Sequence, residues 1–209
     1  MLRDRFGTVK ISLGDIFRRE IAEGTDLGKK VECYVKKGEL VPDEIVNEVL
    51  LENVKGLESF VIDGYPRTMG QAEFLLENVK IDAMIVIKVH DEVLIEKIAG
   101  RRICSNPNCD GNYNISRVEK VVEGVKYFLP EMLPKFDMRC DKCGSPLIQR
   151  KDDKPEKVRI RLNVYKERTE PVMKYLMERL KTVEVWMNRP AEEVFEEIVE
   201  KLKILGLLE

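Results

Sequence analysis

The stretch FVIDGYPRT, residues 60–68, places an acidic residue and an arginine around a turn at the end of an apolar run. The run is short and contains β-branched residues, which predicts a buried strand, and Gly64 with Pro66 predicts a turn directly after it. Asp63 at such a strand end can bind Mg²⁺ or its waters, and the fork of Arg67 suits phosphate oxygens. On this stretch alone, an ordinary surface turn explains the pattern equally well.

The rest of the chain alternates short β-like runs with longer helical patterns. Runs rich in β-branched residues predict strands at TVKI (8–11), SFVID (59–63), AMIVIKV (83–89) and TVEVWM (182–187). Helical patterns lie between and after them, at residues 14–24, 26–38, 41–54, 68–79, 91–102 and 191–205. This order predicts an α/β fold in which helices cover both faces of a parallel sheet and ligands bind at the carboxyl ends of the strands.

The composition is that of a globular chain without a strong overall charge. It contains 36 Lys and Arg against 38 Asp and Glu, a formal net charge of −2, which provides no global field to attract nucleic acid. No stretch approaches the roughly 18 consecutive apolar residues of a membrane span, and the opening residues lack the apolar segment of a secretion signal. We therefore expect a cytoplasmic protein without membrane or nucleic acid partners.

Residues 104–143 interrupt the alternation with two close pairs of cysteines. The pairs are Cys104 with Cys109 and Cys140 with Cys143, and the second forms a Cys-Asp-Lys-Cys-Gly turn that is common in zinc sites. Four thiolates fill every position of a tetrahedral Zn²⁺, so the predicted metal is structural and leaves no position for chemistry. The first pair is wider than a two-residue gap, and cysteines without any metal are the alternative.

Arginines recur close to the ends of several predicted elements. They are Arg18, Arg67, Arg101, Arg102, Arg150, Arg159 and Arg161. Charged side chains are usually solvated, and some of these are expected to be. Several convergent arginines with a metal-binding carboxylate nevertheless form the set that phosphoryl transfer requires, because that reaction depends on positioning and charge neutralisation rather than on a nucleophilic side chain.

Segments along nearly the whole chain resemble, in their order, the zinc-containing adenylate kinases of the long-lid type. These segments are GDIFR (14–18), GTDLGKKVECYVKKGELVPDEIV (24–46), FVIDGYPRTMGQAEFL (60–75), GRRIC (100–104), the second cysteine pair, QRKDD (149–153) and VRIRL (158–162). The resemblance implies a P-loop-kinase-like fold of three layers, a parallel sheet between helices, with a helical AMP-binding insert and a zinc-binding lid. The implied boundaries are 1–11, 42–101 and 151–209 for the core, 12–41 for the insert and 102–150 for the lid.

The same resemblance implies roles for individual residues in binding ATP, AMP and ADP. On the AMP side it implies Arg18, Gly64, Tyr65, Pro66, Arg67 and Gln71, with Gln71 at the adenine. On the ATP side it implies Arg101, Asn112, Tyr113, Arg150, Arg161 and Arg189, with Arg189 near the adenine. The implied catalytic set is Arg67, Arg101, Arg150, Arg161 and Asp63, which organises the Mg²⁺ of ATP through water.

Three features depart from the pattern of the family. Leu13 stands where the family has Thr, and the segment RVEKVVEGVKYFLPEML (117–133) lengthens the lid. The phosphate-binding motif G-x-x-x-x-G-K-[ST] is absent from the printed sequence. The stretch GTDLGKK (24–30) does not replace it, because it has one residue too few between the glycines and ends in Lys30. We expect the motif and its strand to lie upstream of Met1.

Two classes of function remain open on this reading. The first is a nucleoside monophosphate kinase that converts MgATP and AMP to two ADP, nearly inactive in the chain as given. The second is a non-catalytic protein of kinase ancestry that binds nucleotide or nucleic acid. Retention of arginines on both sides of the implied phosphate clamp favours the kinase, since a binding module needs only one side. We expect a monomer, with self-association where a strand is missing.

Overall fold

The computed structural model describes residues 1–208, and its elements follow the expected alternation. The helices and strands are α1 (Leu2–Phe6), β1 (Val9–Ser12), α2 (Leu13–Glu23), α3 (Asp26–Lys37), α4 (Asp43–Val54), β2 (Phe60–Asp63), α5 (Met69–Asn78), β3 (Met84–Lys88), α6 (Asp91–Gly100), β4 (Arg101–Cys104), β5 (Asn112–Asn114), β6 (Val118–Val122), β7 (Val125–Leu129), β8 (Leu147–Ile148), α7 (Pro155–Val164), a π-helical turn (Tyr165–Thr169), α8 (Glu170–Met177), β9 (Thr182–Trp186) and α9 (Ala191–Ile204). Every strand and helix predicted from the sequence is confirmed, with small shifts at the ends. Within residues 1–208, no helix has both the length and the apolar character needed to cross a bilayer.

The four predicted strands form two separate parallel sheets of two strands each. β1 pairs with β2, which sets Ser12 opposite Asp63, and β3 pairs with β9, which sets Met84 opposite Thr182. Ladder hydrogen bonds among residues 1–208 join these strands in pairs, and the single sheet within a three-layer fold expected from the sequence stays a prediction. β2 and β3 are therefore each hydrogen-bonded to a strand on one side only.

The chain divides into two compact units. The first contains residues 1–81 and 164–180, and the second contains residues 82–163 and the residues from 181 onward. This division cuts across the core, insert and lid expected from the resemblance, and that three-part division stays a prediction.

The first unit is built around the β1–β2 sheet and helices α2 to α5. Its buried apolar cluster includes Ile11, Leu13, Phe17, Val31, Val46, Val49, Leu50 and Leu75. Thr68 caps α5 by accepting a hydrogen bond from the backbone N–H of Gln71 at 3.2 Å, which confirms the predicted cap. The cap fixes the start of α5 immediately after the turn that follows β2.

The second unit combines the β3–β9 sheet with antiparallel strands. The sheet is covered by α9 through Val183, Val185, Val194, Ile198 and Leu202. β4 lies between β5 and β8 in an antiparallel sheet, and β6 with β7 forms a separate hairpin. Helices α7 and α8 were not anticipated; α7 carries no clear apolar stripe, because Val158 is the residue it buries among those described.

Candidate functional site

The turn that follows β2 is held by hydrogen bonds that converge on Asp43. The backbone N–H of Arg67 donates to Gln71 Oε1 at 2.8 Å, and Gln71 Nε2 donates to Asp43 Oδ1 at 2.7 Å. The Thr68 hydroxyl donates to Asp43 Oδ2 at 2.6 Å. One carboxylate at the start of α4 therefore orients both the cap of α5 and the amide that supports Arg67.

Gln71, which the resemblance assigns to the adenine, is 2% exposed, and both ends of its amide are bonded within the protein. The Tyr65 hydroxyl lies 2.9 Å from the backbone oxygen of Gln71 and 2.7 Å from Asn47 Oδ1. Burial, with the nearby charge of Asp43, raises the pKa of Tyr65, so this hydroxyl stays protonated and available as a donor. The Tyr65–Pro66 peptide bond is cis.

Arg67 is oriented by main-chain groups on both sides. Its Nε donates to the backbone oxygen of Gly64 at 2.8 Å, and its own backbone oxygen accepts from the Thr169 hydroxyl at 3.2 Å. Gly64 has a φ of 78°, so the chain turns there in a conformation that favours glycine. The guanidinium is thus held against the turn that follows Asp63.

Charged side chains of alternating sign run from α2 to the end of β2. Arg18 Nη2 donates to Asp15 Oδ1 at 2.6 Å. Lys10 Nζ lies 3.5 Å from Asp15 Oδ2 and 3.7 Å from Asp63 Oδ2. Burial opposes ionisation of Asp15, but its hydrogen bond to Arg18 and the nearby positive charges lower its pKa to about 2. Asp15 and Asp63 thus both face Lys10 beside the carboxyl ends of β1 and β2.

In the second unit, two consecutive carboxylates hold two of the predicted arginines. Arg101 makes a bidentate pair with Asp153, through Nε at 2.9 Å to Oδ2 and Nη2 to Oδ1. Arg161 Nη1 lies 3.3 Å from Asp152 Oδ2. Asp153 is fully buried, so this pair is shielded from solvent on the carboxylate side. Arg101 and Arg161 are thus paired with two adjacent aspartates that follow Arg150 in the chain.

The remaining residues expected on the ATP side lie in other elements. Arg189, just before α9, is paired with Glu197 and donates to Asn188 Oδ1 at 3.1 Å. Asn112 and Tyr113 lie in β5, opposite Ile103 and Arg102 of β4. Their expected contact with ATP stays a prediction.

Tyr113 also has a position that was not expected from the sequence. It is buried beside the cysteines, where its hydroxyl accepts from the backbone N–H of Asp141 at 2.7 Å and donates to Cys140 Sγ at 3.7 Å. This side chain therefore supports the turn that carries the second cysteine pair.

The four cysteines of the two pairs come together in one cluster. All four sulfur atoms lie within 4.8 Å of one another, with 3.3 Å between Cys104 and Cys143 and 3.6 Å between Cys109 and Cys140. A tetrahedral zinc with bonds of about 2.3 Å sets its sulfurs roughly 3.8 Å apart, which is close to these spacings. The cluster can hold a metal ion and is consistent with zinc.

Gly111 lets the chain approach this cluster. A Cβ at Gly111 would lie 2.5 Å from Cys140 Sγ and 3.2 Å from Cys104 Cβ, which is closer than side chains pack. The backbone oxygen of Gly111 accepts from the N–H of Cys104 at 2.9 Å. A larger residue at this position would push the two cysteine pairs apart.

Comparison with known proteins matches the chain to one family. The family model described as "Adenylate kinase" matches residues 1–181. The chain belongs to the adenylate kinase family. The adenylate kinase of Petrotoga mobilis is 40% identical over 95% of this chain and 87% of the relative. Those of Archaeoglobus fulgidus (40% identity over 96% of this chain and 90% of the relative) and Pyrococcus furiosus (38%, 93% and 84%) are similarly related.

Membership of the adenylate kinase family confirms the resemblance at the level of the family and supports a nucleoside monophosphate kinase function, while the zinc-containing, long-lid type stays a prediction. Several residues that shape the candidate site had not been singled out, namely Lys10, Asp15, Asp43, Asp152 and Asp153. Asp152 and Asp153 lie inside the quoted segment QRKDD, and Asp43 directly follows Pro42, which predicted the start of α4. The partners of Asp43 and Asp153 lie 28 and 52 residues away in the chain, so no local pattern pointed to them, whereas Asp15 lies three residues from Arg18 and could have been found from that spacing.

Proposed function

We propose that this protein is an adenylate kinase of the cytoplasm, which transfers a phosphoryl group reversibly from MgATP to AMP and forms two ADP. The observation that carries this proposal is the family match over residues 1–181. The chemistry needs no covalent intermediate, because positioning and charge neutralisation of the transferring oxygens supply the catalysis.

On the AMP side, Arg18 and Arg67 bind the phosphate, with the backbone of Gly64, Tyr65 and Pro66 lining the site. Gln71 reads the adenine after its amide exchanges the bond to Asp43 for one to the base. The support is the orientation of Arg67 by Gly64 and Gln71. A pre-oriented guanidinium loses less side-chain entropy when it binds phosphate. Asp63, at the end of β2, organises the Mg²⁺ of ATP through water.

On the ATP side, the proposed ligands are Arg101, Asn112, Tyr113, Arg150, Arg161 and Arg189. Support comes from the ion pairs of Arg101 with Asp153 and of Arg161 with Asp152, which restrict both guanidinium groups before nucleotide arrives. Charge neutralisation on the transferring group is assigned to Arg67 in the first unit and to Arg101, Arg150 and Arg161 in the second, and Asp63 would orient the Mg²⁺ that accompanies ATP.

The metal in the cysteine cluster is proposed to be a structural Zn²⁺. The donor set fits, because Cys104, Cys109, Cys140 and Cys143 present four sulfurs at nearly tetrahedral spacing. Thiolate ligands on all four positions leave no place for substrate or water. The zinc would therefore hold the fold of this segment without taking part in the transfer.

A second candidate function is nucleotide binding with little catalysis. The observation that favours it is the absence of G-x-x-x-x-G-K-[ST] from residues 1–209. In P-loop enzymes the backbone N–H groups of that motif cradle the phosphates, and its Lys and its hydroxyl neutralise charge and hold Mg²⁺. Loss of one preorganised donor typically lowers the rate by about 10² to 10³, so a chain without the whole motif should be slower still.

A coupled assay with ATP and AMP separates these candidates. The chain of residues 1–209 is compared with one extended at its N-terminus by the strand and glycine-rich loop of a related adenylate kinase. We expect turnover in the extended chain, loss of it when the lysine of the grafted loop becomes alanine, and AMP binding in both lengths. Full turnover by the short chain would show that its phosphate-binding groups lie elsewhere, and AMP binding without turnover in either length would favour the second candidate.

A further inference from the structure

The β6–β7 hairpin occupies the segment that lengthens the expected lid, yet its buried face packs against α6. Val118, Tyr127 and Leu129 form a buried cluster with Val93 of α6. Met187, which follows β9, packs against the same cluster. Removing these apolar side chains from water is favourable, so the hairpin is attached to the helix by substantial apolar contact.

Polar contacts hold both edges of the hairpin. The fully buried Tyr127 accepts from the backbone N–H of His90 at 3.1 Å and lies 2.7 Å from His90 Nδ1. Lys120 Nζ pairs with Glu96 at 2.9 Å and Glu92 at 3.3 Å, on the exposed side of α6. The N–H of Phe128 donates to the backbone oxygen of Asn188 at 2.9 Å.

Lys97, in the last turns of α6, joins the two chain segments that lead into and out of the hairpin. Its Nζ donates to the backbone oxygen of Ser116 at 2.8 Å and to that of Pro130 at 3.0 Å. Asn114 Nδ2 donates to the backbone oxygen of Lys97 at 2.8 Å. Gly100 packs closely against Ser116, the residue that leads into the hairpin, because a Cβ at Gly100 would lie 2.6 Å from Ser116 Cβ.

The cysteine cluster has a separate core. Its buried members are Cys104, Tyr113, Cys140 and Leu147, and none of them belongs to the cluster of the hairpin. The backbone bridge between Asn114 and Met132 marks the place where the two parts meet. The segment between α6 and α7 thus contains two cores, one of which is shared with α6.

We propose that the β6–β7 hairpin is a fixed brace on α6 rather than part of the lid that closes over ATP, and that Lys97 is its positioning residue. Lys97 holds both ends of the hairpin against the helix turn from which Arg101 emerges. Movement is then confined to the cysteine-bearing residues 102–113 and 133–150. The effect on ATP rests on the role of Arg101 in the proposed function, whereas the division into brace and moving part does not.

Hydrogen exchange tests the division without any activity. The double variant Cys140→Ser/Cys143→Ser is compared with the unaltered chain, with Cys33→Ser as a control because Cys33 is exposed on α3. We expect loss of amide protection in residues 102–113 and 133–150, with protection of residues 118–129 unchanged. Loss of protection in the hairpin together with the cysteine segment would overturn the proposal.

Calorimetric titration tests the positioning role. Lys97→Met should weaken ATP binding by roughly tenfold, about the effect of one hydrogen bond from a charged group, while AMP binding is unchanged. Lys97→Arg should restore much of the ATP affinity, and Lys126→Met, on the exposed face of β7, should leave it unaltered. A Lys97→Met chain that melts earlier but binds ATP normally would make Lys97 merely structural. These titrations use the chain extended by the glycine-rich loop; if that chain without further substitution binds no ATP, the proposed function fails, and hydrogen exchange alone tests whether the hairpin is a brace.

Discussion

Each ion pair around the candidate site must be judged by its exposure. Arg18 with Asp15 and Arg161 with Asp152 are partly exposed, and pairs of this kind contribute only about 0–1 kcal/mol to stability. Their main effect is to orient a guanidinium. Arg101 differs because its partner Asp153 is fully buried, so removal of the arginine would leave a buried charge without its bidentate partner.

Replacing Arg67 tests the AMP side at the level of one residue. Arg67→Ala should weaken AMP binding by about 1.5–3 kcal/mol, the range of a charge-assisted hydrogen bond, and isothermal titration measures the change. Arg179→Ala is the matched control, because Arg179 belongs to the same compact unit and packs over Tyr175. Equal AMP affinity in Arg67→Ala and the unaltered chain would remove Arg67 from the site.

Ionisation of the Asp15 carboxyl makes the stability of the first unit depend on pH. Its pKa is lowered from 3.8 to about 2 in the folded chain, so its ionised form stabilises the fold above pH 3.8, and this contribution is lost as the pH falls through about 2. Urea unfolding measured at several pH values between 3.8 and about 2 should therefore show that the free energy of unfolding falls less steeply with pH in Asp15→Asn than in the unaltered chain. Asp26→Asn, at an exposed residue of α3, is the control; indistinguishable profiles for Asp15→Asn and the unaltered chain would contradict the prediction.

At the level of elements, the segment between α6 and α7 is small and rich in short strands. β4, β5 and β8 contain between two and four residues each, which is too short for a stable sheet without further support. The buried cluster beside them consists of cysteines, Tyr113 and Leu147. A metal ion bound to the four sulfurs would supply the free energy that so few apolar contacts cannot.

We therefore predict that the protein binds about one zinc ion per chain, and elemental mass spectrometry measures this content. Cys143→Ser should lose most of this zinc and make residues 102–113 and 133–150 sensitive to protease, while Cys33→Ser retains the metal. A protein without metal whose cysteine segment resists protease equally well would contradict a zinc-dependent fold.

At the level of the whole molecule, each compact unit has its own parallel pair of strands. Among residues 1–208, β2 and β3 each have ladder hydrogen bonds to one other strand only. Ile87 on β3 is 50% exposed, so apolar surface accompanies the unpaired backbone groups. Strand edges of this kind pair readily with other chains.

We therefore expect residues 1–209 to self-associate as concentration rises, which sedimentation velocity measures. Ile87→Lys should reduce association, because a charge on an edge strand opposes pairing. Ile204→Lys, at an exposed residue of α9, should have little effect and serves as the control. A single monomeric species at every concentration, or equal effects of the two variants, would show that the strand edges are not responsible.

Local signals explain which features could be predicted from the sequence. The cap at Thr68 and the start of α4 after Pro42 depend on residues within one helical turn, so the pattern alone located them. The cysteine spacing likewise predicted the cluster. Helix α7 was missed because it lacks the apolar periodicity by which helices are recognised.

By itself, the sequence determined the four β-branched strands and the six helices predicted around them, the four cysteines of the cluster and the resemblance to the adenylate kinase family, because each depends on residue types at short or recurring spacings. Only the tertiary structure decided that Gln71 bonds Asp43, 28 residues away, that Arg101 pairs with Asp153, 52 residues away, and that the added hairpin lies on α6. Such contacts form between distant segments, and their geometry depends on how the intervening chain packs. No local pattern of residues contains that information.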